Sequence, residues 1–412
     1  MPIDHGRAAI GRGIQAGGSE ARLSRVVVAR TVDEVESLRK IWETAGVSDL
    51  DSDIDYFLTV VRYGSFVVRP HVVLIRHPGR PVLMAIARLE QLVIPLSVGY
   101  RTLLRPQLRA IVVTFGGLVG IAGTDDERVL VNELRRPLDT GEADMLVLRK
   151  IDAAGTLRDL VIEGVGWFRR SHAQPATRRW VASVPESFDT FLSGRSTKTR
   201  QTLRRQDRNL VRKYGEDLRL RRFEYSGEMA ELCRDMEAVA SKTYQRGLGA
   251  AYSGSPLDLG LIELGLRRGW FRTWMLYIRD RPVAFWQGTT YAGTFATGTP
   301  GFDPDHTKDS VGRYTMLRMV EDLCADDDVT RWDFGHGDAE YKAAFGSPER
   351  IESDVFVMRR GLRPVAVNLA ATTLSMVNGW GRSLAEETAW GRQLKRAWRS
   401  RMAGRRAEIP AD

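Results

Sequence analysis

The sequence predicts a mixed α/β protein built from two successive blocks. Its 412 residues suffice for two or three domains at roughly 100–200 residues each. Apolar residues make up 43% of the chain and aromatic residues 8%, enough for sizeable cores and too much for a disordered chain. Short β-branched runs alternate with runs of helical period, first over 25–180 and again over 183–360, the pattern of mixed sheets covered by helices.

Residues 1–24 are Gly-rich and basic and are read as a disordered tail without the apolar segment of a secretory signal. RVVVA, from Arg25, is a strand. Val32, Val35, Leu38 and Ile41 then predict one helix, with Thr31 as N-cap and Gly46 as stop. A second helix is expected over 53–62. HVVLIRHPGRPVLMAIARLE predicts two strands around a Pro-Gly turn, and AIVVTFGGLVGI a strand entering a glycine-rich turn. A helix near 125–138, a strand over 145–148 and a helix near 155–165 follow.

The second block opens with a basic helix over 195–214 behind a Ser/Thr-rich cap. Between 195 and 222, eleven Lys/Arg and three Asp/Glu leave a charge of +8, against +9 for the whole chain. Such a run is a solvated helical face or a contact for an anionic partner. LRLRRFEY is a strand, GEMAELCRDMEAVASKTYQRGLG a helix, and 257–268 another. WFRTWMLYIRD and RPVAFWQGTTY form a hairpin turning around Asp280, Arg281 and Pro282. TFATGT is a strand, PGFDPDHTKDS a polar loop, VGRYTMLRMVEDLCADD a helix, TRWDF a strand, GDAEYKAAFG a short helix and VFVMRR a last strand.

Two cysteines exclude a disulfide framework and a Cys-rich zinc module, and six histidines fall in no ligand spacing. No metal is expected, and the compartment is read as reducing and cytoplasmic. The window 364–381 is interrupted by Asn, Thr, Ser and Gly, which favours a packed or surface-lying amphipathic helix over a membrane span. Residues 361–412 are read as a helical basic extension ending in a solvated tail, with contact to an anionic membrane surface as the alternative.

Two stretches carry chemistry. Ser310-Val-Gly312 opens a helix after the polar loop, flanked by Lys308 and Arg313. Free N–H groups there suit a phosphate, and a plain cap is the other reading. In the second stretch a strand ends in Asp333, and Gly335 and Gly337 flank His336. Asp338 stands at an N-cap position, with Tyr341 and Lys342 one turn later. Taken singly, Asp338 reads equally as a cap and Tyr341 as a half-buried aromatic. Cys324 lies in an apolar helical pattern and reads as a core thiol.

Together, GFDPDHTKDSVGRYTMLRMVEDL and WDFGHGDAEYKAAFGS resemble the GNAT N-acyltransferase core. They look most like the subgroup related to the FemAB aminoacyltransferases, with its D-F-x-x-G-D-x-x-Y-K-x-x-F-G signature. That subgroup includes CelD-like proteins of cellulose or exopolysaccharide biosynthesis. The resemblance covers about 183–360, basic helix included; 25–180 fits by element order as a degenerate first GNAT-like half. It implies pantetheine between two splayed strands, with Ala296 and Thr297 on one edge. It implies a pyrophosphate on Lys308, Ser310, Val311, Gly312 and Arg313, although only Gly312 keeps the usual loop pattern. Tyr341 would protonate the leaving thiolate, a fitting match of a pKa of about 10 to one of about 8–9. Asp338 or Asp333 would act as base or simply hold the loop, with His336 a less favoured base, and Gly335, His336, Gly337 and Lys342 would shape the loop or touch the acceptor.

The implied reaction is acyl transfer, of acetyl first, from acetyl-CoA or another acyl-CoA to an amine or hydroxyl. The acceptor would be a small molecule, amino sugar or polysaccharide precursor. The alternatives are a FemAB-like enzyme using aminoacyl-tRNA, whose phosphates the basic helix would track, and a non-catalytic GNAT-like protein in polysaccharide assembly. No DNA partner is expected.

Overall fold

The computed structural model describes residues 25–99, 101–247, 252–337 and 339–387. The first half holds strands β1 (Arg25–Ala29), β2 (Val67–Arg76), β3 (Leu83–Val93), β4 (Leu96–Val98), β5 (Arg101–Leu104), β6 (Gln107–Val119) and β7 (Met145–Asp152). Its helices are α1 (Val32–Ser37), α2 (Arg39–Thr44), α3 (Ile54–Tyr63), α4 (Thr124–Asp139) and α5 (Thr156–Ile162). The chain continues through β8 (Thr177–Ser183), α6 (Phe188–Ser193), α7 (Thr197–Tyr214), β9 (Leu218–Phe223), α8 (Met229–Ala240), α9 (Tyr244–Gly247) and α10 (Pro256–Arg267). It then forms β10 (Phe271–Ile278), β11 (Arg281–Tyr291), β12 (Thr294–Thr297), β13 (Gly301–Phe302), α11 (Val311–Cys324), β14 (Arg331–His336), α12 (Glu340–Phe345), β15 (Ser347–Met358) and α13 (Leu362–Glu387).

One large sheet runs β1-β2-β3-β6-β7-β15-β8-β14-β12-β11-β10-β9, with β13 attached to β11. Each half repeats one scheme: antiparallel strands leading to a parallel pair, β6 with β7 and β12 with β14. Beyond the parallel pair the halves exchange strands. β8 follows the first half in sequence yet pairs with β14 of the second. β15 ends the second half yet pairs with β7 of the first. β15 meets both partners, β8 through Ser347–Glu352 and β7 through Glu352–Met358, so Glu352 stands at the handover.

The exchange is built into the cores. Val355 and Val357 of β15 pack with Leu130, Leu134 and Leu146 in the first half. Trp180 of β8 packs with Trp274, Phe295 and Trp332 in the second. The opposite faces are covered by α1–α3 over Leu74 and Ile86, and by α8 and α10 over Met275 and Phe285. Each half is thus a sheet with helices on both faces.

Several elements differ from the sequence reading. The helix expected after Thr31 is two, divided at Leu38. Apolar residues three apart drift round an α-helix by about 60° per step, and the break lets Val35, Leu38 and Trp42 all reach the core. Thr31 does close a capping box with Glu34. Gly116 and Gly117 lie within β6, not in a turn. Residues 114–117 bulge out of the ladder between Val113 and Leu118, and Gly116 (φ 61) lies so close to Asp49 that a Cβ would collide with its side chain. The β10–β11 hairpin turns on Arg279 and Asp280, both with positive φ (49 and 59), as a tight two-residue turn requires. The helix read over 227–249 stops at Ala240, and the last strand starts at Ser347, not near 355. The window 364–381 lies in α13, where Asn368 donates to the carbonyls of Phe168 (3.0 Å) and Arg170 (2.7 Å). None of the described helices is long and apolar enough to cross a membrane. The tails 1–24 and 388–412 lie outside the described residues.

Candidate functional site

The site begins where parallel strands part. β12 and β14 pair at Thr294–Arg331, Phe295–Trp332 and Ala296–Asp333, and no further. Trp332 Nε1 donates to Thr297 Oγ1 at 2.5 Å and ties the fork. Beyond it β14 bends at a bulge after Asp333 and follows β8 instead. β6 and β7 repeat this, pairing from Ala110–Met145 to Val113–Leu148 and then separating. Both forks open onto one cleft of about 1130 Å³ between the halves. Residues 113–118 and 148–151 line it from one side; residues 296–299, Asp333 and His336 line it from the other.

A charged network forms its floor. Asp333 Oδ2 accepts from Arg179 Nη2 (2.6 Å) and Nε (3.1 Å), and Oδ1 accepts from the Gly335 amide (2.8 Å). Both oxygens of this expected base are therefore engaged. Glu352 is 0% exposed. Its carboxylate meets Arg350 Nε at 2.5 Å, His336 Nδ1 at 3.0 Å and Arg179 Nη1 at 3.6 Å. Burial pushes its pKa up, but the close approach of His336 and Arg350 outweighs burial and holds it below the usual carboxylate value. Gly335 and Gly337 take positive φ (71 and 81), which turns the chain sharply on both sides of His336. Lys342, itself buried, donates Nζ to the His336 carbonyl at 2.6 Å. The Phe115 ring of β6 stacks on the imidazole with centroids 6.1 Å apart. The expected loop residues Gly335, His336, Gly337 and Lys342 thus form one pinned turn.

The other expected residues lie on the α11 side of the sheet. Tyr341 packs edge-on to Trp286 (5.7 Å) and against Phe334 (6.2 Å). Trp286 in turn donates Nε1 to the Gly312 carbonyl at 2.7 Å, so one aromatic layer links Tyr341 to the first turn of α11. Asp338 lies outside the described residues, and the N-cap of α12 is Ala339, one residue later than expected.

Ser310 precedes α11 in the left-handed region (φ 58, ψ 31) and makes no side-chain cap bond. The first turn holds no acidic residue, and a short 3-10 segment, Pro304–Asp309, leads into it. Val311 itself is buried. The basic helix α7 lies alongside: Arg313 Nη1 donates to Gln206 at 3.1 Å, and Lys213 Nζ to Asp309 at 2.7 Å. Between the two helices is a hollow of about 470 Å³ lined by Asn209, Arg212, Lys213, Lys308 and Ser310 among others. Asp309 is buried enough to raise its pKa, yet bonds from Lys213, Tyr214 and His306 hold it below the usual value. The matching helix of the first half, α4, is the opposite. Asp125, Asp126 and Glu127 fill its first turn, favourable for the helix dipole and repulsive to a phosphate. Of these two helix starts, only α11 suits an anion.

Sequence reasoning missed Arg179, Glu352 and Phe115. Glu352 and Arg350 sit in Arg350-Ile-Glu-Ser-Asp-Val355, where charge interrupts a strand that the apolar pattern marks only from Val355 onward.

Residues 197–343 match the family model described as Acetyltransferase (GNAT) domain. No curated protein matches the chain. Among solved structures the chain is similar to FemX, with a TM-score of 0.53 and 9% identity, covering 79% of this chain and 96% of that one. A tandem GNAT protein from the clavulanic acid biosynthesis pathway aligns at 0.47 and 11% identity, over 82% and 99% of the two chains. L-PGS from Bacillus licheniformis aligns at 0.45 and 12%, over 83% and 96%. The likeness to FemX is one of fold. Residues 197–343 thus match a GNAT acetyltransferase domain, and the mixed α/β sheet is that of the GNAT fold.

Proposed function

We propose that the protein transfers an acyl group, acetyl first, from acyl-CoA to an amine or hydroxyl of a small molecule, amino sugar or polysaccharide precursor. One observation carries this reading. The half that matches the acetyltransferase family places a forked β12–β14 pair beside a helix start with no acid in its first turn and with Lys308 and Arg313 at hand. In the proposed mode the pyrophosphate lies on the Val311 and Gly312 amides, and pantetheine passes the fork along Ala296 and Thr297. The acceptor enters from the cleft between the halves. Its nitrogen or oxygen attacks the thioester carbon, the C–S bond breaks, and Tyr341 gives its proton to the thiolate. Holding the two reactants in register supplies most of the acceleration, so no covalent intermediate is needed.

The test is calorimetric titration with acetyl-CoA and a longer acyl-CoA, followed by assay of free CoA with Tyr341→Phe. Micromolar binding, and turnover lowered at nearly unchanged donor affinity, are the expected results. Absence of binding by either donor sinks the reading; unchanged turnover removes Tyr341.

A second reading, an aminoacyl-tRNA-dependent transferase, is favoured by the exposed Arg204, Arg205 and Arg208 on α7 and by the shared fold with FemX. It predicts salt-sensitive tRNA binding that reversal of those three charges abolishes.

A further inference from the structure

We propose that His336 is the base that takes the proton from the attacking acceptor, and that Glu352 is its positioning residue. This rests on the acyl-transfer reading above. His336 lines the cleft, with its side chain 28% exposed, while the Glu352 carboxylate beside it is wholly buried. With Nδ1 turned to Glu352, Nε2 is the nitrogen left for the cleft. The 3.0 Å contact lies out of line with the ring N–H, so it is a close approach of Nδ1 to the carboxylate and not an aligned hydrogen bond. A carboxylate behind an imidazole selects its tautomer and favours the imidazolium that forms on proton uptake. The residue is pinned while its ring stays open to the cleft: Lys342 holds the backbone carbonyl, Phe115 stacks on one ring face, and Gly335 and Gly337 set the turn. Asp333, the other candidate among the described residues of this floor, already gives both oxygens to Arg179 and the Gly335 amide.

Among the described residues, the charged groups around His336 are Glu352 and Arg350 from β15, Arg179 from β8, Asp333 from its own strand and Lys342 from α12. Asp49 of the first half acts on Arg179 across the cleft. In the step itself, the acceptor N–H or O–H proton passes to His336 Nε2 as the new bond to the acyl carbon forms. The sulfur leaves with the C–S electron pair and takes a proton from Tyr341, and the imidazolium returns its proton to water.

Two measurements on the full chain test this. The first is ring ¹⁵N NMR of His336, assigned with His336→Gln. A proton on Nδ1 in the parent protein, lost or scrambled in Glu352→Gln, is the expected result. A parent ring protonated on Nε2, or a tautomer unmoved in Glu352→Gln, overturns the positioning role. The second is transfer from acetyl-CoA across a panel of amines. His336→Gln should lower kcat by about 10²–10⁴-fold with KM for acetyl-CoA within about twofold. Glu352→Gln should cost about 10–100-fold and move the acid limb of the kcat/KM profile to lower pH, because the anion that favours imidazolium is gone. Unchanged kcat in His336→Gln overturns the base assignment. Failure to bind any acyl-CoA would sink the acyl-transfer reading and the base assignment with it, while leaving the NMR result on Glu352 standing.

Discussion

Arg313→Asp separates folding from donor binding by sign. Arg313 lies in the first turn of α11, exposed, with one hydrogen bond to Gln206. The substitution makes that turn resemble α4, which opens with Asp125, Asp126 and Glu127. For folding, a first-turn carboxylate gains about 0.3–1 kcal/mol from the helix N-terminus. The lost surface hydrogen bond costs about 0.5–1.5 kcal/mol, so stability should stay within about 1 kcal/mol of the parent. For binding, one attraction to the pyrophosphate becomes one repulsion. At about 0.2–1 kcal/mol for each exposed charge contact, and with two phosphate charges nearby, the loss is about 1–2 kcal/mol. That is about 5- to 30-fold in Kd. The assay is acetyl-CoA titration with a parallel thermal melt. Raising salt from about 0.1 M to 1 M shortens the screening length from about 10 Å to 3 Å, so the gap between parent and variant should close. A variant that binds acetyl-CoA as tightly as the parent at low salt, with an unchanged melt, would refute the placement of the pyrophosphate at α11.

Gly288→Ala tests the fork from the packing side. A Cβ there would press on the Phe295 ring and the Ala296 carbonyl, and overpacking of this kind costs about 1–3 kcal/mol. Calorimetry should show Tm lowered by about 2–4 °C per kcal/mol; an unmoved Tm would mean that the ring has room to yield. Two buried groups shape stability against pH in opposite directions. Burial, with Arg69 and Arg30 nearby, lowers the His71 pKa to about 3. The unfolded chain therefore takes up a proton near its ordinary value that the fold refuses, and stability falls as pH drops from about 6.5 towards 3. Burial, with Asp49 adding to it against the pull of Arg88, raises the Asp51 pKa to about 6. The fold keeps that proton longer than the unfolded chain, so this contribution falls as pH rises from about 4 to 6. Denaturant melts across pH 4–7 should show a steeper acid loss in Asp51→Asn and a shallower one in His71→Gln; identical slopes in all three proteins would contradict both assignments.

What was legible in the sequence was local. Ser196 caps α7 and Thr31 caps α1 because each signal is complete within four residues. The β10–β11 hairpin and α11 announced themselves by period and by their turns. What was not legible depends on partners far along the chain. Arg179 and Glu352 come together only because β8 and β15 trade places, and neither residue carries a local mark of that meeting. Phe115 reaches His336 from the other half. Gly116 and Gly117 misled because glycine marks both turns and bulges, and the close approach of Asp49 that decides between them is tertiary. Tyr341 and the Gly335–Gly337 turn were found through a motif, yet the motif was silent on Lys342 anchoring the carbonyl of His336.

The strand exchange sets a timetable for the nascent chain. β7 ends at Asp152, and the strand that covers its open edge begins only at Ser347. At about 5–20 residues per second, that edge waits roughly 10–40 s during synthesis. Until then β7 presents unpaired amides and carbonyls beside the apolar residues Leu146 and Leu148, the features that recruit stray strands. When β15 arrives, it closes the first half and delivers Glu352 to His336 in one movement, so completion of the fold and arming of the cleft coincide.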